Sequence, residues 1–358
     1  TRGAHVEATQ LDPTTEREQR FEDAIRKTAP GTPLRLALDM IIAGHLGALI
    51  CVGDTENVLA AGDDGFRLDV SFTSNRLFEL CKMDGAVVVD RDLTKILRAN
   101  YHLNPDPSLP TSETGMRHRT AARMSLLTKA MVISVSSRRS VVSVYVDGKG
   151  YELKSVTDLL ALVSQLTVAM QNTRSQLDRR LLHLTSLELD NVVTLGDVAD
   201  ILYLFEVLMT AGEELDDCII QLGREGKTTQ MQREEYLAGM DEAYTLMIRD
   251  YAADSSEEAA RAIRKRLHDT ANTQLHSAKF AAKILGYTDE RGEDSIMTPL
   301  GLRTLSRVPV VRDGMADKIV DEYGSLQEVL EAVDDDPSRL GEIGVKNPGV
   351  LTNSLHRM

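Results

Sequence analysis

A long helical stripe between Val156 and Leu189 divides this sequence into two parts of different character. Apolar residues recur in it at spacings of three, four and seven, which is typical of one face of a continuous helix or of a coiled-coil seam. Before Ser155 the sequence holds several short β-branched runs, whereas helical patterns predominate after it. One uniform fold does not accommodate both patterns, so we predict an α/β domain followed by helical domains. The stripe consists of Leu159, Val163, Leu166, Met170, Leu177, Leu181 and Leu184.

The 358 residues are enough for two or three domains. We predict four segments: a flexible N-terminus at 1–19, an α/β domain at 20–155 with a mixed central sheet flanked by helices, an all-α spine at 156–290, and a small all-helical domain at 291–358. Strands are predicted at Ala48–Val52, Val58–Gly62, Ala86–Asp90, Lys95–Tyr101, Met131–Val135 and Val141–Val146. Helices are predicted at Arg20–Ala29, Leu34–His45, Ser74–Cys81, Thr120–Lys129, Leu195–Ala211, Met231–Tyr251, Glu257–Asp269 and Ala271–Leu285.

Composition excludes several classes of protein. No apolar run approaches the roughly 20 residues of a membrane span, and the polar segment Thr1–Thr15 lacks the apolar core of a signal peptide. The three cysteines, Cys51, Cys81 and Cys218, are too widely spaced for a disulfide framework or a zinc site. We therefore expect a cytoplasmic protein. The net charge of −14 argues against a general nucleic-acid coat, and the absence of tryptophan argues against base-stacking platforms.

A basic turn, Thr111–Thr120, is the most unusual local feature. Arg117, His118 and Arg119 follow Thr114-Gly115 directly and precede an Ala/Leu/Met-rich run. This order predicts a loop that enters a helix, with Thr114 as N-cap. A helix N-terminus with added positive charge suits a polyphosphate. Taken alone, however, the ten residues are more typical of a solvated basic turn.

A second motif upstream changes that interpretation. Lys82–Val88 contains Asp84-Gly85-Ala86, and together with Gly115–Ala121 it closely resembles the diadenylate cyclase domain. The neighbouring runs Gly47–Ile50, Glu79–Asp84 and Val132–Ser136 resemble it as well. The order of cyclase domain, helical spine and C-terminal helix-hairpin-helix domain is similar to that of the DNA integrity scanning family, and this resemblance extends from Phe21 to the end of the chain.

The resemblance implies an enzyme that condenses two ATP into cyclic di-AMP and releases two pyrophosphates. Each 3′-hydroxyl attacks the α-phosphate of the other nucleotide, so two cyclase domains must face each other. The family implies an octamer of chains that is built from such dimers and held by the spine. It also implies a Mg²⁺ or Mn²⁺ cofactor, and branched or duplex DNA as a partner of the C-terminal domain. It also implies a bacterial cytoplasmic, nucleoid-associated protein without membrane contact.

Candidate site residues follow from the same motifs. Asp84 would activate the 3′-hydroxyl, directly or through the metal, and Arg117, His118 and Arg119 would neutralise the phosphates. Asp84 and His118 are the candidate metal ligands. The resemblance implies an ATP site formed by Asp84, Gly85, Ala86, Leu103, Gly115, Met116, Arg117, His118, Arg119, Thr120 and Ser136. Structural alternatives are an ordinary turn at Asp84-Gly85, a structural histidine at 118 and a core leucine at 103.

Two positions depart from the family pattern. Met116 stands where the family usually has threonine, and Ala122 replaces a frequent glutamate. Methionine cannot donate the hydroxyl hydrogen bond that a phosphate accepts, so we predict weaker ATP handling or compensation by backbone N–H groups. A DNA-binding repair scaffold with a degenerate cyclase domain, and a nucleotide sensor without turnover, are the alternative functions.

The C-terminal motifs are weaker. Glu342 stands where a helix-hairpin-helix glycine is usual, and Pro348 falls where a helix should run. Residues 295–358 hold seven Lys/Arg against ten Asp/Glu, a net charge of −3. We therefore expect weak, salt-sensitive and structure-selective DNA binding through Arg307, Arg312 and Lys346.

Overall fold

The computed structural model describes residues 13–270, 272–311, 314–336 and 338–357. These residues form two compact units. One contains the described chain up to Val163 together with Asp217–Thr228, and the other contains Ser164–Asp216 and the chain from Thr229 onward.

A mixed β-sheet forms the centre of the first unit, as the sequence predicts. Its order is β2-β5-β4-β1-β6-β7-β8, with β3 paired to β5. The central pair β1 and β4 is parallel and places Ile50 opposite Val87, whereas the other neighbours are antiparallel. The strands are β1 Ala48–Val52, β2 Gly62–Asp63, β3 Phe66–Ser71, β4 Ala86–Val89, β5 Lys95–Leu103, β6 Met131–Ser136, β7 Val141–Val146 and β8 Lys149–Glu152.

Helices cover both faces of this sheet, so its central strands are apolar on both sides. In β1, Ala48, Ile50 and Val52 belong to one core cluster, and Leu49 and Cys51 belong to the other. The helices of the unit are α1 Pro13–Lys27, α2 Pro33–Ala43, α3 Thr55–Ala60, α4 Ser74–Leu80 and α5 Met116–Leu127.

The rest of the described chain is helical, which confirms the prediction that the region after the α/β domain is all-α. The helix α6 is continuous over the 34 residues Val156–Leu189. It is followed by α7 Leu195–Leu222, a 3-10 helix Gly223–Gly226, α8 Lys227–Leu237, α9 Met240–Tyr251, α10 Glu257–His268, α11 Asn272–Leu275, α12 Ala278–Ile284, α13 Leu302–Ser306, α14 Met315–Tyr323, α15 Leu326–Asp335, α16 Arg339–Glu342 and α17 Pro348–Leu355.

A fully buried network joins three helices of the second unit. The Glu188 carboxylate at the end of α6 accepts hydrogen bonds from Arg303 Nη2 and Thr304 Oγ1, both at 2.6 Å. It also accepts one from the Tyr251 hydroxyl at 2.7 Å. The Asp250 carboxylate caps α13, because it accepts the backbone N–H groups of residues 301, 302 and 303 at 2.6–3.0 Å. These charged side chains are satisfied from within the protein.

Several predicted elements were wrong in detail. The run Val58–Gly62 is not a strand, since α3 contains Val58 and buries it against the sheet; so short an apolar run does not distinguish the two conformations. The edge strands β3 and β8 were missed because they are held by backbone pairing and carry few buried side chains. Pro348 does not interrupt a helix but begins α17, where its missing N–H costs nothing.

Candidate active site

The start of α5 is an open helix N-terminus. Gly115, and not Thr114, is the N-cap, and none of the described side chains caps the helix. The first turn contains no acidic residue. Since the first N–H groups of a helix have no partner within the helix, these groups remain available to an external anion.

The two arginines of this turn are exposed, and within the described ranges neither guanidinium has an ion-pair partner. Arg117 lies against the backbone of Gly47, just before β1, where a Cβ atom would collide with the guanidinium. Thr120 is half-buried, and the Met116 side chain is 79% exposed. The turn therefore presents two uncompensated positive charges beside free N–H groups.

His118 differs from its neighbours, because its side chain is buried. Its Nδ1 lies 2.8 Å from the Tyr145 hydroxyl, whereas Nε2 is buried without a partner among the described residues. Burial lowers the pKa of His118; Glu113 opposes this shift, and Arg139 and Arg117 add to it. The imidazole is therefore a neutral group in this site and not a third positive charge.

The Asp84-Gly85-Ala86 motif forms a turn between α4 and β4. Gly85 has φ +85°, and an added Cβ would lie 2.8 Å from the carbonyl carbon of Asn100, so the turn requires glycine. The Asn100 side chain donates to the Asp84 carbonyl oxygen at 2.8 Å and fixes the turn on β5. The Asp84 side chain itself is exposed. Ala86 is fully buried opposite Tyr101, so its methyl group is part of the core.

Residues from both motifs contribute to one buried core cluster. Ala86 of β4, Ala121 of α5 and Tyr145 of β7 belong to one buried cluster. The half-buried Leu103 packs against that cluster, and Ser136 ends β6, where its hydroxyl accepts the Arg139 N–H at 3.4 Å. Ala86, which follows the Asp84 turn, and α5 thus pack in the same core cluster, and Leu103 and Ser136 are the last residues of β5 and β6.

Residues that sequence reasoning missed support this site. Gly47 makes room for Arg117, Asn100 holds the Asp84 turn, and Tyr145 contacts His118. The signal for Tyr145 was available in principle, because a tyrosine inside a buried β-branched strand needs a hydrogen-bond partner for its hydroxyl. The partner, 27 residues away in the sequence, was not predictable from spacing.

The predicted DNA-contacting cations lie on the surface of the C-terminal helices. Arg307 is exposed at the end of α13, and Lys346 is exposed two residues after Gly344, whose φ is +102°. Arg312 lies outside the described residues. A separate apolar core holds α13 to α17 together. In the described part of the chain, no helix has the length and apolarity needed to cross a membrane.

Comparison with known proteins identifies the family. Residues 35–150 match the domain described as the DisA bacterial checkpoint controller nucleotide-binding domain, and residues 153–293 match the DisA linker region. The DNA integrity scanning protein DisA of Symbiobacterium thermophilum is 38% identical over 94% of this chain and 95% of that protein. The chain is also 38% identical to the DisA protein of Corynebacterium glutamicum ATCC 13032, over 94% of this chain and 93% of that protein. It is 34% identical to the DisA protein of Streptomyces avermitilis, over 94% of this chain and 91% of that protein. The chain therefore belongs to the DisA family of DNA integrity scanning proteins.

Proposed function

We propose that this chain is a diadenylate cyclase, which condenses two ATP into cyclic di-AMP and two pyrophosphates. The observation that carries the proposal is the open N-terminus of α5 within the nucleotide-binding domain. It offers free N–H groups and two arginines that have no ion-pair partner in the described ranges, and α5 shares a core cluster with Ala86, the residue that follows the Asp84 turn. Such a site suits a triphosphate, and its exposure suits a reaction shared between two protomers.

The reaction requires two nucleotides in opposed sites. Each 3′-oxygen forms a bond to the α-phosphorus of the other ATP, the bond from that phosphorus to the bridging oxygen breaks, and pyrophosphate leaves with its negative charge. Arg117 and Arg119 bind that developing charge. Asp84 assists removal of the 3′-hydroxyl proton. Gly85 and Gly115 allow the nucleotide to approach the backbone, Thr120 contacts phosphate, and Leu103 and Ser136 border the adenine.

We propose Mg²⁺ or Mn²⁺ as cofactor. Among the described residues, no group of three or more histidine, cysteine or acidic side chains could hold a metal ion. The residues present nevertheless fit a shared site: Asp84 offers an exposed carboxylate and His118 an unpartnered Nε2. Mg²⁺ is usually held by one or two protein ligands together with substrate phosphates. When bound, the ion would neutralise phosphate charge and acidify the 3′-hydroxyl.

Incubation of the full chain with ATP and Mg²⁺ or Mn²⁺, followed by mass spectrometry, tests the activity. We expect cyclic di-AMP from the wild type and none from Asp84→Asn, with unchanged folding because Asp84 is exposed. The matched control is Asp64→Asn, an exposed aspartate outside the motif. ATP binding without cyclic di-AMP formation would identify a nucleotide sensor. DNA binding in a protein that neither binds ATP nor forms cyclic di-AMP would identify a degenerate scaffold.

We further propose that the C-terminal helices sense branched or duplex DNA and modulate synthesis. Arg307 and Lys346 are exposed and contact phosphates without reading sequence. The region of residues 295–358 has a net charge of −3, so the contact is local and salt-sensitive. The test measures the affinity for a four-way DNA junction together with the rate of cyclic di-AMP synthesis. We expect Arg307→Ala and Lys346→Ala each to weaken the binding of the junction. An unchanged affinity in the double variant would refute these contacts.

The same proposal includes assembly and location. Opposed active sites require a cyclase dimer, and the helical region would join such dimers into an octamer. A DNA contact would associate the protein with the nucleoid of a bacterial cytoplasm. Light scattering of the purified chain measures the mass of the assembly, and a monomer that still forms product would contradict the dimer requirement.

A further inference from the structure

The strand β5 is irregular where it passes the Asp84 turn. Ala86 of β4 pairs with Tyr101 of β5, and Val88 pairs with Arg98. The two residues of β4 are two positions apart, whereas their partners are three positions apart, so β5 carries one extra residue here. This extra residue makes a β-bulge, and β-bulges are common beside active sites, where they redirect a side chain.

Asn100 lies in this bulge in the left-handed conformation, with φ +52°. Its backbone packs against two glycines. An added Cβ on Gly85 would lie 2.8 Å from the Asn100 carbonyl carbon, and one on Gly65 would lie 2.8 Å from the Asn100 carbonyl oxygen. Asparagine adopts the left-handed conformation more readily than most residues that carry a side chain. The position therefore favours asparagine or glycine, and only asparagine adds a polar group.

The polar group of Asn100 is directed to the Asp84 backbone. Its amide nitrogen donates to the Asp84 carbonyl oxygen at 2.8 Å. The Asp84 side chain is exposed, and its carboxylate has no hydrogen bond or ion pair within the described residues. The position of that carboxylate is therefore set through the backbone of the turn, and the Asn100 amide is the side-chain group that holds this backbone.

We propose that Asn100 is a positioning residue of the cyclase site, because its amide fixes the Asp84 backbone and thereby orients the Asp84 carboxylate. The inference rests on the proposed function, in which Asp84 assists removal of the 3′-hydroxyl proton. Such a step depends on placement, since a displacement of about 1 Å can cost about 100-fold in rate. The proposed triphosphate contacts, Arg117 and Arg119, lie on a different element, α5. Loss of the Asn100 amide should therefore slow the chemical step and leave ATP binding nearly unchanged.

Steady-state kinetics of the full chain test this separation. Asn100→Gly removes the amide and keeps the left-handed backbone, which glycine adopts readily. We expect kcat for cyclic di-AMP synthesis to fall by about 10- to 100-fold, the usual effect of losing a group that orients a functional residue. The KM for ATP should stay within about twofold of the wild type, because the lost contact acts only on the chemical step. Asn100→Asp replaces the donor by an acceptor and should lower kcat at least as much.

The control is Asn191→Gly, the same substitution at another left-handed asparagine, with φ +55°, in the helical unit. It should leave kcat and KM at their wild-type values. Wild-type kinetics in Asn100→Gly would overturn the proposal. A raised KM with unchanged kcat would also overturn it, since that result places Asn100 in ATP binding.

Solid-state NMR of the full chain measures the contact itself, without turnover. With ¹³C in the aspartate carbonyl carbons and ¹⁵N in glycine, only the four Asp-Gly pairs of the sequence give carbon–nitrogen signals. The Asp84 signal is the one missing from Asp84→Asn. In Asn100→Gly this carbonyl signal should shift, because its oxygen loses a donor, while the Asp147 signal stays in place. A wild type that forms no product contradicts the cyclase function, whereas an active wild type with an unchanged Asp84 signal in Asn100→Gly contradicts this inference alone.

Discussion

Two helix N-termini in this protein differ in whether a side chain accepts hydrogen bonds from their free N–H groups. At α13 the Asp250 carboxylate accepts three backbone N–H groups, and the adjacent Arg303 is paired with Glu188 in the interior. At α5 no side chain caps the helix, and Arg117 and Arg119 are exposed without an ion-pair partner in the described ranges. The protein supplies its own hydrogen-bond acceptor at α13, whereas at α5 the corresponding position is open. The same unpaired N–H groups are therefore bound by the protein in one region and remain open in the other, where we propose that they bind phosphate.

Breaking the internal pair should have the largest effect. Arg303→Met leaves the Glu188 carboxylate, which is 1% exposed, without its cation. We expect the free energy of unfolding of the helical unit to fall by about 3–5 kcal/mol, the usual cost of an unpaired buried charge. Urea denaturation measures the change in the free energy of unfolding, and hydrogen exchange of peptides from α13 shows whether this region is affected. The double variant Arg303→Met/Glu188→Leu should recover most of the loss, and a single variant as stable as the wild type would contradict the buried pair.

The corresponding change at the open helix end should affect activity and leave stability alone. Arg119→Ala removes an exposed cation that has no ion-pair partner in the described part of the chain, so the free energy of unfolding should stay within about 0.5 kcal/mol of the wild type. Synthesis of cyclic di-AMP should fall by about 10²- to 10³-fold, the effect of losing one donor to a developing charge. Initial rates at saturating ATP measure it, with Arg138→Ala, another exposed arginine, as control. Equal rates in both variants would remove Arg119 from the site.

The two helix ends should also respond to pH with opposite sign. Burial and the Glu188 charge raise the pKa of Asp250 to about 7, above the unfolded value of about 3.9, so the helical unit should lose stability as pH rises between these values. Burial lowers the pKa of His118, so the α/β unit should lose stability as pH falls below about 6.5.

Each slope should reach at most about 1.4 kcal/mol per pH unit, the value for one proton. Hydrogen exchange of peptides from α13 and α5, measured from pH 4 to 8 with correction for intrinsic rates, separates the two regions. Asp250→Asn should abolish the first slope and His118→Gln the second. Parallel slopes in both regions would contradict the contrast.

The smallest effect is expected at the position that departs from the family pattern. The Met116 side chain is 79% exposed at the open helix end, so Met116→Thr should hardly change stability. An added hydroxyl bond to phosphate, worth about 0.5–1.5 kcal/mol, should lower the KM for ATP by about 2- to 10-fold. Met231→Thr, another exposed methionine, is the control. Unchanged kinetics would show that backbone N–H groups already supply what the hydroxyl would add.

Periodicity in the sequence was sufficient to predict the central strands and the long helix, and insufficient to predict the edge strands. The long stripe predicted α6 to the residue because buried positions recur along a whole helix face. Central strands such as β1 were predicted because both their faces are buried. The helix predicted at Met231–Tyr251 is two helices, which meet at Gly239 with φ +72°. The helix α8 ends at Leu237, and Gly239 in the left-handed conformation is the N-cap of α9; the apolar pattern of the side chains does not predict this break.

For the site, the sequence by itself determined which residues are candidates for the chemistry: the Asp84 turn, the glycines and the Arg117–Arg119 turn were recognisable as short contiguous motifs. Only the tertiary structure decided their states. It buried His118 against Tyr145, left Arg117 and Arg119 without an ion-pair partner among the described residues, and placed Ala86 in the core. The physical reason is that residue identity supplies a functional group, whereas charge, protonation and access depend on neighbours that the fold brings from distant positions.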